Sequence, residues 1–303
     1  MDLITTENLC KKYSHKLVID HVNMHIPEQA IYGFVGENGS GKTTIMRLLT
    51  GLAEPTSGSF SLFGVNNTDS KIYTVRQQLS AIVEVTSLVP TLNAIDNMRY
   101  QELYLGISLS EEERKELLRK VHLENVGNKK VKNFSLGMRQ RLGIALALLN
   151  KPKLMLLDEP MNGLDPEGIA ELRDLLIELN QKEGITVLIS SHILSELEKI
   201  ASCYGFISHG QLIEEITAQE LQERCRKSLM IKVDKLTETE ALLKKLGIND
   251  YKASSNGEVK IYDSLKINDF VMALDKAGIT VLSINSSEES VEDYYLKLIK
   301  EAN

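Results

Sequence analysis

The chain has 303 residues, 43% hydrophobic and 25% charged, the proportions of a soluble globular protein with material for two domains. A formal net charge of −7 argues against a nucleic-acid partner. Cys10, Cys203 and Cys225 are odd in number and far apart, so they suggest neither a disulfide framework nor a metal cluster, and a reducing cytosol is expected.

Asp2 and Glu7 interrupt the short apolar start, so no secretory leader is expected. The longest uncharged apolar stretch, residues 142–149, falls well short of the about 18 residues that cross a bilayer. If this chain serves a membrane, another chain must cross it.

Residues 3–35 predict an antiparallel β lead-in, with Val22, Met24 and Ile26 alternating against Asn23 and His25. Tyr13 falls in the polar turn before that alternation, where an aromatic often serves as a filler. Ile31–Val35 is a continuous apolar run of the kind a buried parallel strand gives. Gly36-Glu37-Asn38-Gly39-Ser40-Gly41-Lys42-Thr43 follows, and it fits the phosphate-loop pattern G-x-x-x-x-G-K-[ST] without a mismatch. After it, Ile45, Leu48, Leu49 and Leu52 recur at helical spacing.

Strand, glycine-rich turn and helix together are the context that this chemistry requires. Gly36, Gly39 and Gly41 let the backbone come close to phosphates, while the N–H groups of Asn38, Ser40 and Thr44 lie along the loop and helix start that surround the anion. Lys42 supplies a mobile cation for the β- and γ-phosphates, and the Thr43 hydroxyl can ligate Mg²⁺. A nucleoside triphosphate is the ligand this predicts.

Pro55-Thr56-Ser57-Gly58 reads as a turn and residues 59–62 as a strand ending at Gly64. Residues 88–150 form a helical stretch, with Ser110 and Glu113 as a capping box and Leu117, Leu118 and Val121 as its buried stripe. Residues 125–133 predict a loop, and residues 139–149 a buried helix opened by Phe134-Ser135-Leu136-Gly137-Met138. Residues 153–157 predict a buried strand that delivers Asp158-Glu159-Pro160. An amphipathic helix over 169–182 turns Leu172, Leu175, Leu176 and Leu179 inward and ends at Gly184. Residues 186–190 predict the next buried strand, with His192 just beyond it.

Strands alternating with helices imply an α/β fold on a parallel sheet, with ligands at the carboxyl ends of the strands. The phosphate loop, Asp158, Glu159 and His192 all fall there. A carboxylate after an apolar strand can hold Mg²⁺ opposite Thr43, and a second one beside it can take a proton from an attacking water. From residue 218 the pattern resets to strand 229–233, helix 237–246, strand 258–262, helix 267–276, strand 280–285 and helix 291–300, a small α+β domain with no chemical motif. Domains are therefore expected at 1–217 and 218–303.

The phosphate loop, Phe134-Ser135-Leu136-Gly137-Met138-Arg139-Gln140-Arg141, Leu154-Met155-Leu156-Leu157-Asp158-Glu159-Pro160, Asn162-Gly163-Leu164-Asp165 and Ser190-Ser191-His192 appear in that order. The set resembles the nucleotide-binding subunit of ABC transporters, over residues 1 to 215. The resemblance implies a P-loop domain of ABC type with a helical subdomain, and two ATP molecules clamped between two such subunits, identical or homologous, arranged head to tail. It implies that Ser135 and the N–H of Gly137 reach the γ-phosphate held by the other subunit, that His192 contacts the γ-phosphate in its own, that Asp165 lies at the dimer seam and that Tyr13 stacks on adenine. ATP and Mg²⁺ are the implied cofactors. The implied setting is the inner face of a bacterial membrane, with membrane contact only through a separately encoded transmembrane permease.

Two departures stand out. The serine motif usually reads L-S-G-G-Q, and here Leu136 replaces its first glycine and Met138 its glutamine. Where the family carries a glutamine that links the Mg²⁺ site to the membrane partner, this chain has Glu84, in Ile82-Val83-Glu84-Val85. An ionised glutamate only accepts hydrogen bonds and adds charge beside a metal, which puts the usual coupling contact in doubt. With the C-terminal extension, these features resemble the branch that exports bacitracin, lantibiotics and related membrane-active peptides. A soluble ABC ATPase with a non-transport partner, or an exporter of lipids or drugs, remains the alternative; the chain has neither the tandem cassettes nor the coiled-coil insertion usual in the soluble class.

Overall fold

The computed structural model describes residues 1–84, 87–263, 265–287 and 290–302, with the side chains of Ser287 and Ala302 left out. Val85 of the 82–85 run thus lies outside the described residues. Strand β1 (Asp2–Tyr13) pairs antiparallel with β2 (Lys16–Val22) and with β3 (His25–Pro27). Val22, Met24 and Ile26 are all buried, yet they do not share one strand: pairing stops after Val22 and resumes at His25.

The expected antiparallel lead-in also ends before residue 31. Strand β4 (Ile31–Val35) is buried at every position and joins the parallel sheet instead, where apolar residues are covered on both faces. Helix α1 (Lys42–Thr50) follows the loop. It stops at Gly51, which adopts a left-handed φ of 83°, so Leu52 leaves the predicted stripe and is 72% exposed. Strands β5 (Ser57–Leu62) and β6 (Val65–Asn66) complete the antiparallel sheet in the order β2-β1-β5-β6, with β3 on β1.

After a short helix α2 (Ile72–Val75), β7 (Leu79–Ile82) enters the second sheet. Helices α3 (Ala94–Leu105), α4 (Glu111–Lys120) and α5 (Leu136–Leu148) then form the helical part. Asn93 caps α3, and Ser110 and Glu113 cap α4 reciprocally. Helix α5 starts before the predicted residue 139 because the Ser135 hydroxyl accepts the Met138 N–H and nucleates the first turn there.

Strand β8 (Leu154–Asp158), helix α6 (Pro166–Glu183) and strand β9 (Thr186–Ser191) come next. Asp165 caps α6, proline sits where a helix needs no donor, and Leu172, Leu175, Leu176 and Leu179 are buried. Each such leucine contributes about 1.5–3 kcal/mol by leaving water. A short α7 (Leu194–Leu197), β10 (Cys203–Ser208) and β11 (Gln211–Thr217) close the order β11-β10-β4-β9-β8-β7. All neighbours in it are parallel except β11 on β10. Phe34, Leu48, Leu156 and Leu188 share one core with Ile4, Leu9 and Phe60 of the first sheet.

Residues 1–218 and 219–300 form two compact units. The second contains most of α8 (Ala218–Arg224), then β12 (Ser228–Val233), α9 (Leu236–Lys245), β13 (Tyr251–Ala253), β14 (Glu258–Ile261), α10 (Ile267–Lys276), β15 (Val281–Ser287) and α11 (Val291–Ala302) up to Lys300. Its sheet runs β13-β14-β12-β15, antiparallel throughout, the order of a split βαβ unit of ferredoxin-like type. Ile231, Leu243, Val259 and Leu274 lie at its core. Among the described residues no helix is long and apolar enough to cross a membrane.

Candidate nucleotide-binding and hydrolysis site

The loop between β4 and α1 leaves no room for side chains where it turns. Gly41 has a φ of 116°, and a Cβ there would lie 2.5 Å from Ile19 Cδ1. At Gly36 a Cβ would lie 2.5 Å from the Ile207 carbonyl oxygen. Asn38 and Gly39 are exposed at the tip, Ser40 is buried, and Thr43 and Thr44 are half-buried on the first turn of α1. Lys42 is almost fully buried and donates to the carbonyls of Gly36 at 2.6 Å and Glu37 at 3.2 Å. Its ammonium thus donates to the loop's own backbone.

Parallel pairing assembles the rest. Asp158 at the end of β8 is opposite Ser190 of β9, and Ser190 is opposite Phe34 of β4. The Thr43 hydroxyl donates to Asp158 Oδ2 at 2.6 Å, and the Ser190 hydroxyl donates to Asp158 Oδ1 at 2.6 Å. Ser190 Oγ in turn accepts the Glu159 N–H at 2.8 Å. Glu159 takes a left-handed φ of 49°, unusual for a residue with a side chain and typical of constrained sites. Its Oε2 meets His192 Nδ1 at 2.8 Å. Its Oε1 is buried without a hydrogen bond, 3.5 Å from Lys42 Nζ in an ion pair of poor hydrogen-bond geometry.

These groups fit a magnesium triphosphate. Thr43 and Asp158 present two hard oxygens side by side, as Mg²⁺ requires. Ser40 Oγ is a buried polar atom lacking a partner beside the same loop. The arrangement joins a cationic phosphate cradle, a metal-ligating pair and a carboxylate with one oxygen left to accept a proton.

The remaining predicted residues are placed differently. Tyr13 ends β1, 41% exposed, with Lys11 Nζ 4.8 Å from its ring centroid. Glu84 lines a cleft of about 520 Å³ together with Leu136, Arg139, Asp158, Glu159 and Asn162. Its carboxylate accepts from Arg47 Nη2 of α1 at 2.7 Å, while Thr43 and Asp158 bond to each other. Ser135 and Asp165 serve as N-caps of α5 and α6, and Gly137 lies in the first turn of α5 with only Leu164 near its Cα substituent position. Within one chain these three organise helix starts, whose N–H groups favour anions.

Ser190, part of the Ser190-Ser191-His192 run, and Arg47 carry roles in the structure that the sequence did not assign. Ser190 was visible as a polar residue ending a buried strand, but its bond to Asp158 depends on which strands are neighbours. Arg47 gave no signal, since its partner is 37 residues away across a loop.

Residues 19–162 match the family model described as ABC transporter. The bacitracin transport ATP-binding protein BcrA of Bacillus licheniformis is 41% identical over 302 residues, covering 98% of this chain and 97% of that protein. The lantibiotic transport ATP-binding protein SrtF of Streptococcus pyogenes is 46% identical over 213 residues, 70% of this chain and 90% of its own. Among solved structures, a dimeric post-hydrolysis state of an ATP-binding cassette bound to ADP and Pi has a TM-score of 0.63 at 25% identity, over 71% of this chain and 98% of that one.

Proposed function

Because the chain belongs to the ABC transporter family of ATP-binding subunits, an ATPase family, we propose that it powers a separate membrane-embedded exporter of antimicrobial or other membrane-active peptides. The peptide cargo is supported by likeness along nearly the whole chain to a bacitracin transport subunit, C-terminal unit included. The reading places the chain at the inner face of a bacterial membrane, held there by its permease.

One observation carries the hydrolytic part: the chain of bonds Thr43–Asp158–Ser190–Glu159–His192. Lys42 exchanges the carbonyls of Gly36 and Glu37 for the β- and γ-phosphate oxygens, while the loop N–H groups and Ser40 bind the remaining oxygens. Thr43 and Asp158 would hold Mg²⁺, which supplies positive charge against the triphosphate. Ser190 fixes both Asp158 and the Glu159 backbone. His192 holds Glu159 Oε2, leaving Oε1 to take the proton of the attacking water as its oxygen approaches the γ-phosphorus. Ser135 and Gly137 of a second subunit, at the positive end of α5, would complete the γ-phosphate site, with Asp165 at the seam and Tyr13 on adenine.

The test uses the chain reconstituted with its permease in vesicles. ATP hydrolysis should rise when bacitracin-class or lantibiotic-class peptides are added, and not with lipids or small-molecule drugs. Glu159→Gln should keep ATP binding, accumulate as a dimer and lose about 10²- to 10⁴-fold in turnover, the usual scale for general-base loss. Stimulation by lipids or drugs alone would overturn the cargo, and wild-type turnover of Glu159→Gln would remove Glu159 from the base role.

A further inference from the structure

A thiol, a carboxylate and an imidazole converge on the β1–β2 pair, outside the residues assigned above. Cys10 Sγ, an Asp20 oxygen and a His21 ring nitrogen all lie within 4.8 Å of one another. Ordinary strand geometry would not bring them together, because neighbouring side chains such as Asp20 and His21 point to opposite faces. Two irregularities undo that alternation. His21 adopts a left-handed φ of 48°, which costs a non-glycine residue about 1–2 kcal/mol. The β1–β2 register also slips between the Leu9–Val22 and Lys11–Ile19 pairs, at Cys10.

The contacts orient all three donors. The His21 backbone N–H donates to Cys10 Sγ at 3.2 Å, and the thiol donates to the Asn8 carbonyl at 3.5 Å. His21 Nδ1 meets Asp20 Oδ1 at 2.6 Å, while Asp20 Oδ2 accepts from Gln211 Nε2 at 2.6 Å. Cys10 is buried, Asp20 half-buried and His21 exposed, so an ion can enter past the imidazole.

We propose that Cys10, Asp20 and His21 form a site for a thiophilic divalent transition-metal ion of the zinc class. Sulfur, nitrogen and oxygen donors of this kind suit zinc, and a water would complete a tetrahedral set. Thiolate and carboxylate together balance the ion's two charges. Binding replaces the Cys10 thiol proton, which is released to solvent. The site adjoins the phosphate loop through the backbone: the Asp20 N–H donates to the Gly210 carbonyl at 2.8 Å, and the Gly210 N–H donates to the Ser40 carbonyl at 2.9 Å. An ion that stiffens Asp20 therefore acts on the segment that cradles phosphate.

The test is cobalt titration of the reduced full-length protein, followed by optical absorption. Wild type should bind one equivalent of Co²⁺ with a thiolate-to-cobalt charge-transfer band that Zn²⁺ abolishes and excess Mg²⁺ does not. The band should persist in a Cys203→Ser/Cys225→Ser variant and vanish in Cys10→Ser. His21→Ala, at an exposed position that leaves folding intact by circular dichroism, should weaken binding by at least about tenfold, since even outer-sphere losses reach that scale. Absence of the band in wild type would overturn the site. So would a band that survives Cys10→Ser, or one that is unchanged in both His21→Ala and Asp20→Asn.

Discussion

Glu84 and Arg47 meet at 2.7 Å, but both are well exposed, and a surface pair of that kind contributes at most about 1 kcal/mol to stability. Its meaning therefore lies elsewhere. Glu84 stands in the cleft that also exposes Asp158 and Glu159, and its backbone takes a left-handed φ of 66°. Glu84→Gln keeps a hydrogen-bond acceptor for Arg47 and adds a donor. It should leave the unfolding temperature and basal hydrolysis nearly unchanged while altering the factor by which the permease or cargo stimulates hydrolysis. Arg47→Ala should change that same factor. Stimulation factors measured for wild type, Glu84→Gln, Glu84→Ala and Arg47→Ala decide it, and equal values in all four would remove the pair from coupling.

At the scale of elements, what could be read from the sequence was what the chain writes locally. The loop from Gly36 to Thr43, the capping box at Ser110 and Glu113 and the leucine stripe of α6 each need only neighbours along the chain. Strand β13 escaped because three residues, two of them polar or aromatic and exposed in part, carry no periodicity. Leu52 was misread because spacing extends a stripe that a left-handed glycine cuts short. Contacts between elements were also invisible, and the α3–α4 clamp is the plainest case. Arg114 of α4 donates twice to the buried Glu102 of α3, at 2.7 Å each, and the Leu109 N–H donates to the same carboxylate. Arg114, with burial opposing, thereby holds the Glu102 carboxyl below its ordinary range. A carboxyl depressed on folding adds stability above its unfolded pKa of about 4.3, and that contribution is lost as pH falls through the folded value. Glu102→Ala should cost about 1–3 kcal/mol near neutrality, because it leaves the half-buried Arg114 guanidinium without its two acceptors. The gap in unfolding temperature between wild type and Glu102→Gln should shrink as pH is lowered through the acid range. A gap independent of pH would mean that the clamp works by shape and not by charge.

On the scale of the whole molecule, the proposed site residues fall within the first unit, His192 last along the chain, while the second unit has its own sheet and its own core around Ile231, Leu243, Val259 and Leu274. Two cores imply two folding units, so a chain ending at Ala218 should remain folded and bind ATP with affinity near that of the full protein. The more informative comparison concerns association. Among its described residues this split βαβ unit groups no metal-ligating acids and thiols, and it can add surface between two copies or restrain them. In the Glu159→Gln background, where ATP should trap the dimer, removal of residues 219–303 separates these roles. If the unit helps two copies meet, the truncated form should need more protein or more ATP to dimerise, as light scattering would show. If it restrains them, dimerisation should come more easily and basal hydrolysis of the truncated wild type should rise. Unchanged association and unchanged hydrolysis would leave the unit as a stabilising appendage, and loss of ATP binding in a folded truncation would mean that the first unit does not complete its own nucleotide site.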